Sequence, residues 1–434
     1  MEVRAIGHST HPLQFVAPLP DATRSDRRAT RGGTMTATNN DWIAPLQAVH
    51  TAPGPVPNGF EATSINVPDE VLDDLRLRLG HTRWPDELPD AGWAYGTNRS
   101  VLQSLCRAWR DTYDWRATEA RLNAWPQYRT EVNGTPVHVI VARSPEPDAM
   151  PLLLTHGWPG SITEFLDVIE PLRNPAAHGG DVADAFHVVV PSLPGFGFSG
   201  PTPEPGWDVK RVAEAWAELM AGLGFDRYIA QGGDWGSFVS TWLGLVDPEH
   251  VAGVHLNMAV GFPGDGEITD AEAVDLTAMG DFLANGCAYQ EIQGKNPQTL
   301  AYGLNDSPAG LAGWILEKFW AWTDHDGDLF DAVGQQAILD NLTTYWVTGT
   351  IGSSTRIYYE TMKTGRFATH DAKVEVPTAV AQFPAEITKP PRSWVEAGYN
   401  LQRYTRYDRG GHFAALEEPD LLIDDIRAFA QTVR

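Results

Sequence analysis

Cysteine is nearly missing: Cys106 and Cys287 are the only two in 434 residues. Two such residues make no disulfide framework and have no metal-ligand spacing, so both are expected to be free thiols. Long apolar runs are missing too. Without a run of about eighteen apolar residues a spanning helix is excluded, and no charged-then-apolar leader opens the chain. A reducing cytoplasm is therefore the expected compartment. Basic residues are scarce, 32 Lys and Arg against 56 Asp and Glu. The resulting net charge of -24 and pI near 4.8 exclude a nucleic-acid binder, which needs clustered positive charge. A neutral substrate suits such a chain better than an anionic one. No repeat and no H-E-x-x-H type signature occurs, and no cofactor or metal is implied.

What is abundant is aromatic: 16 Trp stand in the chain, enough for extensive aromatic packing and an apolar pocket. Residues 1–58 are rich in Pro, Thr, Ala and Arg without periodicity, as in a disordered extension. Within it, Met35 is an alternative start. From Ile65 onward the pattern is structured. Val67-Pro68-Asp69-Glu70 opens what reads as a capped amphipathic helix, and a second helix is expected over 99–113. Together, 59–127 read as a mostly helical segment carrying Trp84, Trp93, Trp115 and Trp125.

At Tyr128 the period switches to two. Stretches 128–132 and 136–141, joined through Asn133-Gly134, read as a hairpin. Short apolar runs at 152–154, 186–190, 228–230, 251–260, 378–383 and 401–407 follow, with helical stretches at 209–223, 237–245 and 419–433. Alternation of that kind means an α/β fold: a mainly parallel central sheet with helices on both faces. Residues 128–260 and 371–434 form the two parts of this core. Between them, 261–370 read as a helical cap inserted over the carboxyl edge of the sheet.

Three motifs carry chemistry. Gly232-Gly233-Asp234-Trp235-Gly236 follows one strand and opens an apolar helix expected from near Ser237. This is the context of a nucleophile elbow, with Asp234 where Ser is commoner. Thr155-His156-Gly157-Trp158-Pro159-Gly160-Ser161 follows the 152–154 strand. In such folds that loop and the residue after the nucleophile supply the oxyanion-hole amides, here those of Trp158 and Trp235. His156 reads as structural. Gly410-Gly411-His412-Phe413 lies between the last strand and the last helix, the place of the general base. The acid that orients it should follow the preceding strand, where Phe383-Pro384-Ala385-Glu386 offers Glu386 and Glu396 lies nearby. A decoy, Gly195 to Gly200, matches G-x-G-x-x-G but runs into Pro201-Thr202-Pro203, so no phosphate site forms.

From Ile65 to the C-terminus these residues resemble the microsomal-type epoxide hydrolases, the juvenile-hormone enzymes included. The matching motifs are His156 to Ser161, Gly233 to Gly236, Gly410 to Ala415, Asn305-Asp306-Ser307-Pro308 and Tyr345-Trp346, with the N-terminal segment around Trp84 and Trp125. The resemblance implies hydrolysis of a small apolar epoxide with water as co-substrate, through a covalent ester on Asp234. It also implies two cap tyrosines as proton donors. Ala288-Tyr289 and Ser353-Ser354-Thr355-Arg356-Ile357-Tyr358 match the segments that carry them, so Tyr289 and Tyr358 are expected, with Tyr359 adjoining the second. Mammalian members carry an N-terminal membrane anchor, and membrane attachment is not expected to carry over from the resemblance. Haloalkane dehalogenation is the rival chemistry, since it uses the same Asp and His; a non-catalytic receptor is a third reading. A homo-oligomer is compatible with all of these.

Overall fold

Asn133 and Gly134 sit at φ +50° and +73°, the left-handed conformations that a two-residue hairpin turn demands. They join β3 (Gln127–Val132) to β4 (Thr135–Ala142). The computed structural model describes residues 43–45, 56–261, 263, 266–367 and 372–434. The rest of the predicted extension, Met35 included, lies outside the described residues. Part of it departs from expectation: β1 (Ile43–Pro45) pairs antiparallel with β2 (Glu61–Ile65), which in turn pairs with β3. Three residues are too few to leave a periodic signal.

The remaining strands are β5 (Met150–Thr155), β6 (Phe186–Pro191), β7 (Tyr228–Gly232), β8 (Val251–Leu256), β9 (Val374–Gln382) and β10 (Tyr399–Arg406). All ten join one sheet in the order β1-β2-β3-β4-β6-β5-β7-β8-β9-β10. Pairing is antiparallel as far as the β4–β6 contact and parallel from β6 to β10. Strands β6, β7 and β8 are buried along their whole length, which is why they read as continuous apolar runs and not as alternations.

Helix Val209–Gly222 covers one face with Val212, Trp216 and Leu219; helix Pro419–Val433 covers the other with Ile423, Ile426 and Phe429. One expected cap is absent and one expected boundary shifts. The helix Asp69–Gly80 has Pro68 at its N-cap and no side-chain cap, because proline has no oxygen to offer the orphan amides. The helix expected from Ser237 begins three residues earlier, Asp234–Val246, with the nucleophile candidate inside its first turn.

Between β8 and β9 the chain builds helices from Asp270 to Thr364 over the carboxyl edge of the sheet. The N-terminal helices share a core with them: Leu105 and Trp109 pack in the same cluster as Leu311, Ile315 and Leu342. Among the described residues no helix is long and apolar enough to cross a membrane.

Candidate active site

Every candidate residue of the core stands at the carboxyl end of a strand: Trp158 after β5, Asp234 after β7, Glu386 after β9 and His412 after β10. Asp234 occupies the elbow between β7 and its helix at φ +49°. A non-glycine residue there is strained by about 1–3 kcal/mol, which the surrounding packing must hold. Gly236 explains how so tight a bend fits, because a Cβ at that position would run into the carbonyl of Thr155 at the end of β5. Alanine at 236 would push the helix off the sheet.

The Asp234 carboxylate is held at both oxygens. The Trp158 amide donates to Oδ1 at 2.8 Å, and His412 Nε2 lies 3.3 Å from Oδ2. Trp235, in the first turn of the helix, has an amide with no intrahelical acceptor. On its other side His412 Nδ1 meets Glu386 Oε1 at 2.8 Å, an oxygen that also accepts from the Ile387 amide at 2.7 Å. A bridge between Ala385 and Gly411 zips the two loops together, and the His412 amide donates to Trp322 O at 2.9 Å. Glu396, the other acid considered, is exposed and paired with Arg392.

Burial opposes charge on His412, but the Glu386 and Asp234 carboxylates more than offset it and hold the imidazole well above its ordinary range. In the free protein it is therefore imidazolium facing two carboxylates. His156 is the opposite case: its Nδ1 donates to Gly157 O at 3.0 Å, Nε2 accepts from the Leu193 amide at 3.1 Å, and burial pushes it down to about 4. It fastens the loop as a neutral ring.

From the cap, Tyr289 stacks on Trp158 with centroids 5.4 Å apart, and Tyr358 meets Trp235 edge-on at 4.5 Å. The two phenol rings are 5.9 Å from each other. Both are buried, and burial together with the nearby Asp234 charge keeps both hydroxyls protonated far beyond neutral pH. The Tyr358 hydroxyl falls short of hydrogen-bonding geometry with any described side chain, although the Tyr289 hydroxyl and Trp235 indole adjoin it closely enough to bear on its ionisation. Tyr359 points away: it is 38% exposed, with Lys363 over its ring.

Several neighbours were not legible from pattern. Lys318 is buried with its ammonium 4.3 Å from the Tyr289 ring centroid, and Trp322 stands 5.0 Å from the His412 ring. Both belong to the apolar cap helix Pro308–Trp322, where helical spacing reads only as core. Glu164 and Asn257 also border Asp234. Asn257 follows β8 directly, and its place at a strand's carboxyl end was the available signal.

Comparison with known proteins places the chain in a family. The family described as epoxide hydrolase N terminus matches residues 60–165, and the alpha/beta hydrolase fold family matches 150–284. A Stigmatella aurantiaca protein, named provisionally as an epoxide hydrolase, is 44% identical over 87% of this chain and 86% of its own length. Epoxide hydrolase 1 of Sus scrofa is 38% identical over 87% of this chain and 91% of its own. The chain belongs to the epoxide hydrolases. Among solved structures, juvenile hormone epoxide hydrolase from Bombyx mori superposes with a TM-score of 0.80 at 30% identity, covering 86% of this chain and 95% of that one. For Aspergillus niger epoxide hydrolase the TM-score is 0.78 at 33% identity, covering 88% and 97%. This epoxide hydrolase thus has an α/β-hydrolase core with the family's N-terminal segment.

Proposed function

We propose that this protein converts an apolar epoxide to a vicinal diol in two steps, through an ester on Asp234. What carries the proposal is one arrangement: a carboxylate with one oxygen on the Trp158 amide and the other 3.3 Å from His412 Nε2, beneath two protonated phenols. In the first step Asp234 Oδ2 attacks a ring carbon and the C–O bond of the epoxide breaks. A carboxylate is ionised at neutral pH and needs no base for this. The alkoxide that develops is poorly stabilised by itself, so Tyr289 and Tyr358 hydrogen-bond to it and one passes its proton.

Ester formation removes the negative charge of Asp234. One of the two charges that hold His412 protonated is then gone, and the imidazolium releases its proton, which replaces the one given by the tyrosine and leaves Nε2 able to accept another. In the second step it deprotonates water attacking the carboxyl carbon of Asp234. The oxyanion at Oδ1 is met by the Trp158 and Trp235 amides. Glu386 holds the Nδ1–H tautomer and balances the imidazolium.

Intact-mass spectrometry after mixing with styrene oxide tests the proposal. Asp234→Ala is expected to lose turnover and form no adduct. His412→Gln is expected to accumulate protein heavier by one substrate mass. Normal diol formation by either variant removes the assignment, and halide release from a chloroalkane without diol formation from any epoxide would favour dehalogenation.

A further inference from the structure

Beside Asp234 lies a cavity of about 20 Å³, bordered by Gly160, Glu164, Asp234, Asn257 and His412. That is room for a single water molecule, and such a water requires two to four polar partners. Two side chains on its wall have no part in the chemistry above.

Asn257 is oriented by its neighbour: Gln231 Nε2 donates to Asn257 Oδ1 at 2.8 Å. With the oxygen so occupied, the Nδ2 hydrogens are what Asn257 presents elsewhere. Glu164 lies in the short 3-10 turn Ile162–Phe165, which Ser161 caps. Its carboxyl packs so closely on the Pro159-Gly160 bend that a Cβ at Gly160 would collide with it. The bend is fixed in turn from the cap, where Asn341 donates to Pro159 O at 2.7 Å and Tyr345 to Gly160 O at 2.8 Å. Burial pushes the Glu164 carboxyl up to about 8, with His412 opposing and Asp234 assisting. At neutral pH Glu164 is thus a neutral acid, which adds no second negative charge beside the nucleophile and offers a carbonyl oxygen as acceptor.

We infer that this cavity seats the water that hydrolyses the Asp234 ester, and that Glu164 and Asn257 hold that water in attacking orientation. The inference rests on the ester mechanism above. A water about to attack must aim one lone pair at the carbonyl carbon. Its other three directions are then filled: one O–H to His412 Nε2, one O–H to the Glu164 carbonyl oxygen, and the second lone pair to Asn257 Nδ2–H. As the bond from water oxygen to Asp234 Cγ forms, the first proton passes to Nε2. Collapse of the tetrahedral intermediate breaks the bond from Cγ to the substrate oxygen. The departing alkoxide takes the proton back from His412, which leaves diol and the Asp234 carboxylic acid; the acid proton then passes to Nε2 and restores the carboxylate and imidazolium of the free protein.

Single-turnover rapid quench with excess enzyme over styrene oxide separates the two steps, with ester measured by mass. Glu164→Met and Asn257→Ala are expected to alkylate at the wild-type rate and to hydrolyse the ester about tenfold more slowly or worse, the cost of one lost orienting hydrogen bond. Glu164→Gln keeps an acceptor oxygen and is expected to stay within about threefold of wild type. Wild-type ester hydrolysis in Glu164→Met or Asn257→Ala overturns the inference. So does a parallel fall in alkylation, which marks general distortion, or a Glu164→Gln variant as slow as Glu164→Met. If Glu164→Met does not fold, Asn257→Ala decides alone. No ester in wild type or in His412→Gln would instead overturn the two-step mechanism itself.

Discussion

The phenols of Tyr289 and Tyr358 share one task and differ in surroundings. Tyr289 is sandwiched by aromatic and cationic neighbours, Trp158 on one side and the Lys318 ammonium near its ring, whereas Tyr358 stands edge-on to Trp158 and Trp235. Each would give one hydrogen bond to the opened epoxide oxygen. Loss of one preorganised donor from such a cradle slows a reaction by about 10²–10³. Tyr289→Phe and Tyr358→Phe are therefore expected to slow alkylation by that order, and the double variant to abolish it. Tyr359→Phe, on the exposed side, should leave it unchanged; single-turnover alkylation rates check all four, and an active double variant would remove the tyrosines from the mechanism. His412 supplies a second test. Once Asp234 is esterified, burial lowers the imidazole and only Glu386 still raises it. Glu386→Gln removes that raising charge, so the pH profile of ester hydrolysis should move to lower pH while the plateau rate falls by about 10²-fold or more. A profile that moves upward, or stays where it was, contradicts the orienting role.

One cap helix, Gln335–Thr348, reaches both the oxyanion loop and the N-terminal segment. Its Asn341 and Tyr345 hold the Pro159 and Gly160 carbonyls. Its Asp340 accepts from Thr118 Oγ1 at 2.6 Å and Tyr113 Oη at 2.9 Å, while Trp109 Nε1 donates to Thr343 Oγ1 at 2.8 Å. Removing the Asp340 carboxylate leaves the Thr118 and Tyr113 hydroxyls, 3.2 Å apart, to bond to each other, so Asp340→Ala is expected to cost about 1–3 kcal/mol and to lower Tm in calorimetry. A Tm within about 1 °C of wild type would show that the helix does not depend on this clamp. Nothing in the spacing of Gln335 to Thr348 foretold these bonds, since each pairs residues far apart in sequence. The elbow was legible for the opposite reason. Asp234 is placed by a strand, two glycines and a helix that are contiguous, and His412 by a glycine pair between the last strand and last helix. Glu386 was readable only as one of two nearby acids, because proximity along the chain does not distinguish Glu386 from Glu396. Strand β2 was missed inside a segment dominated by helical and aromatic signals, and the elbow helix starts early because the Ser237 amide already donates to Gly233 O at 3.2 Å, across a positive φ at Asp234 that composition does not announce. Glu164 and Asn257 lie beside the nucleophile only after β5, β7 and β8 have assembled.

Across the whole molecule, the C-terminal helix is tied to β8 and to the far edge of the sheet by one buried carboxylate. Asp425, on helix Pro419–Val433, is fully buried and reaches His255 Nε2 of β8 at 3.1 Å, Arg403 of β10 at 2.8 Å and Tyr407 Oη at 2.9 Å. Burial works against its charge, but the hydrogen bonds and charges of His255 and Arg403 prevail and hold it well below the usual carboxylate range. A carboxylate whose pKa is depressed by folding stabilises the native state above its unfolded value of 3.8, and that stabilisation is lost as pH falls through the lower folded value. With a net charge of -24 many other carboxylates also titrate in acid, so the contribution of Asp425 has to be isolated as a difference. Asp425→Asn leaves Arg403 facing a neutral amide. The Arg403 side chain is 34% exposed and regains water, so the loss of these charge-assisted hydrogen bonds costs about 1.5–3 kcal/mol, and urea unfolding near pH 7 should show a deficit of that order. As the pH is lowered from 5 toward 3 the wild-type protein begins to lose what the variant never had, and the two stability curves should converge. Curves that remain parallel over that range would mean that Asp425 titrates normally in the folded protein, and that the C-terminal helix is held to β8 and β10 by packing alone.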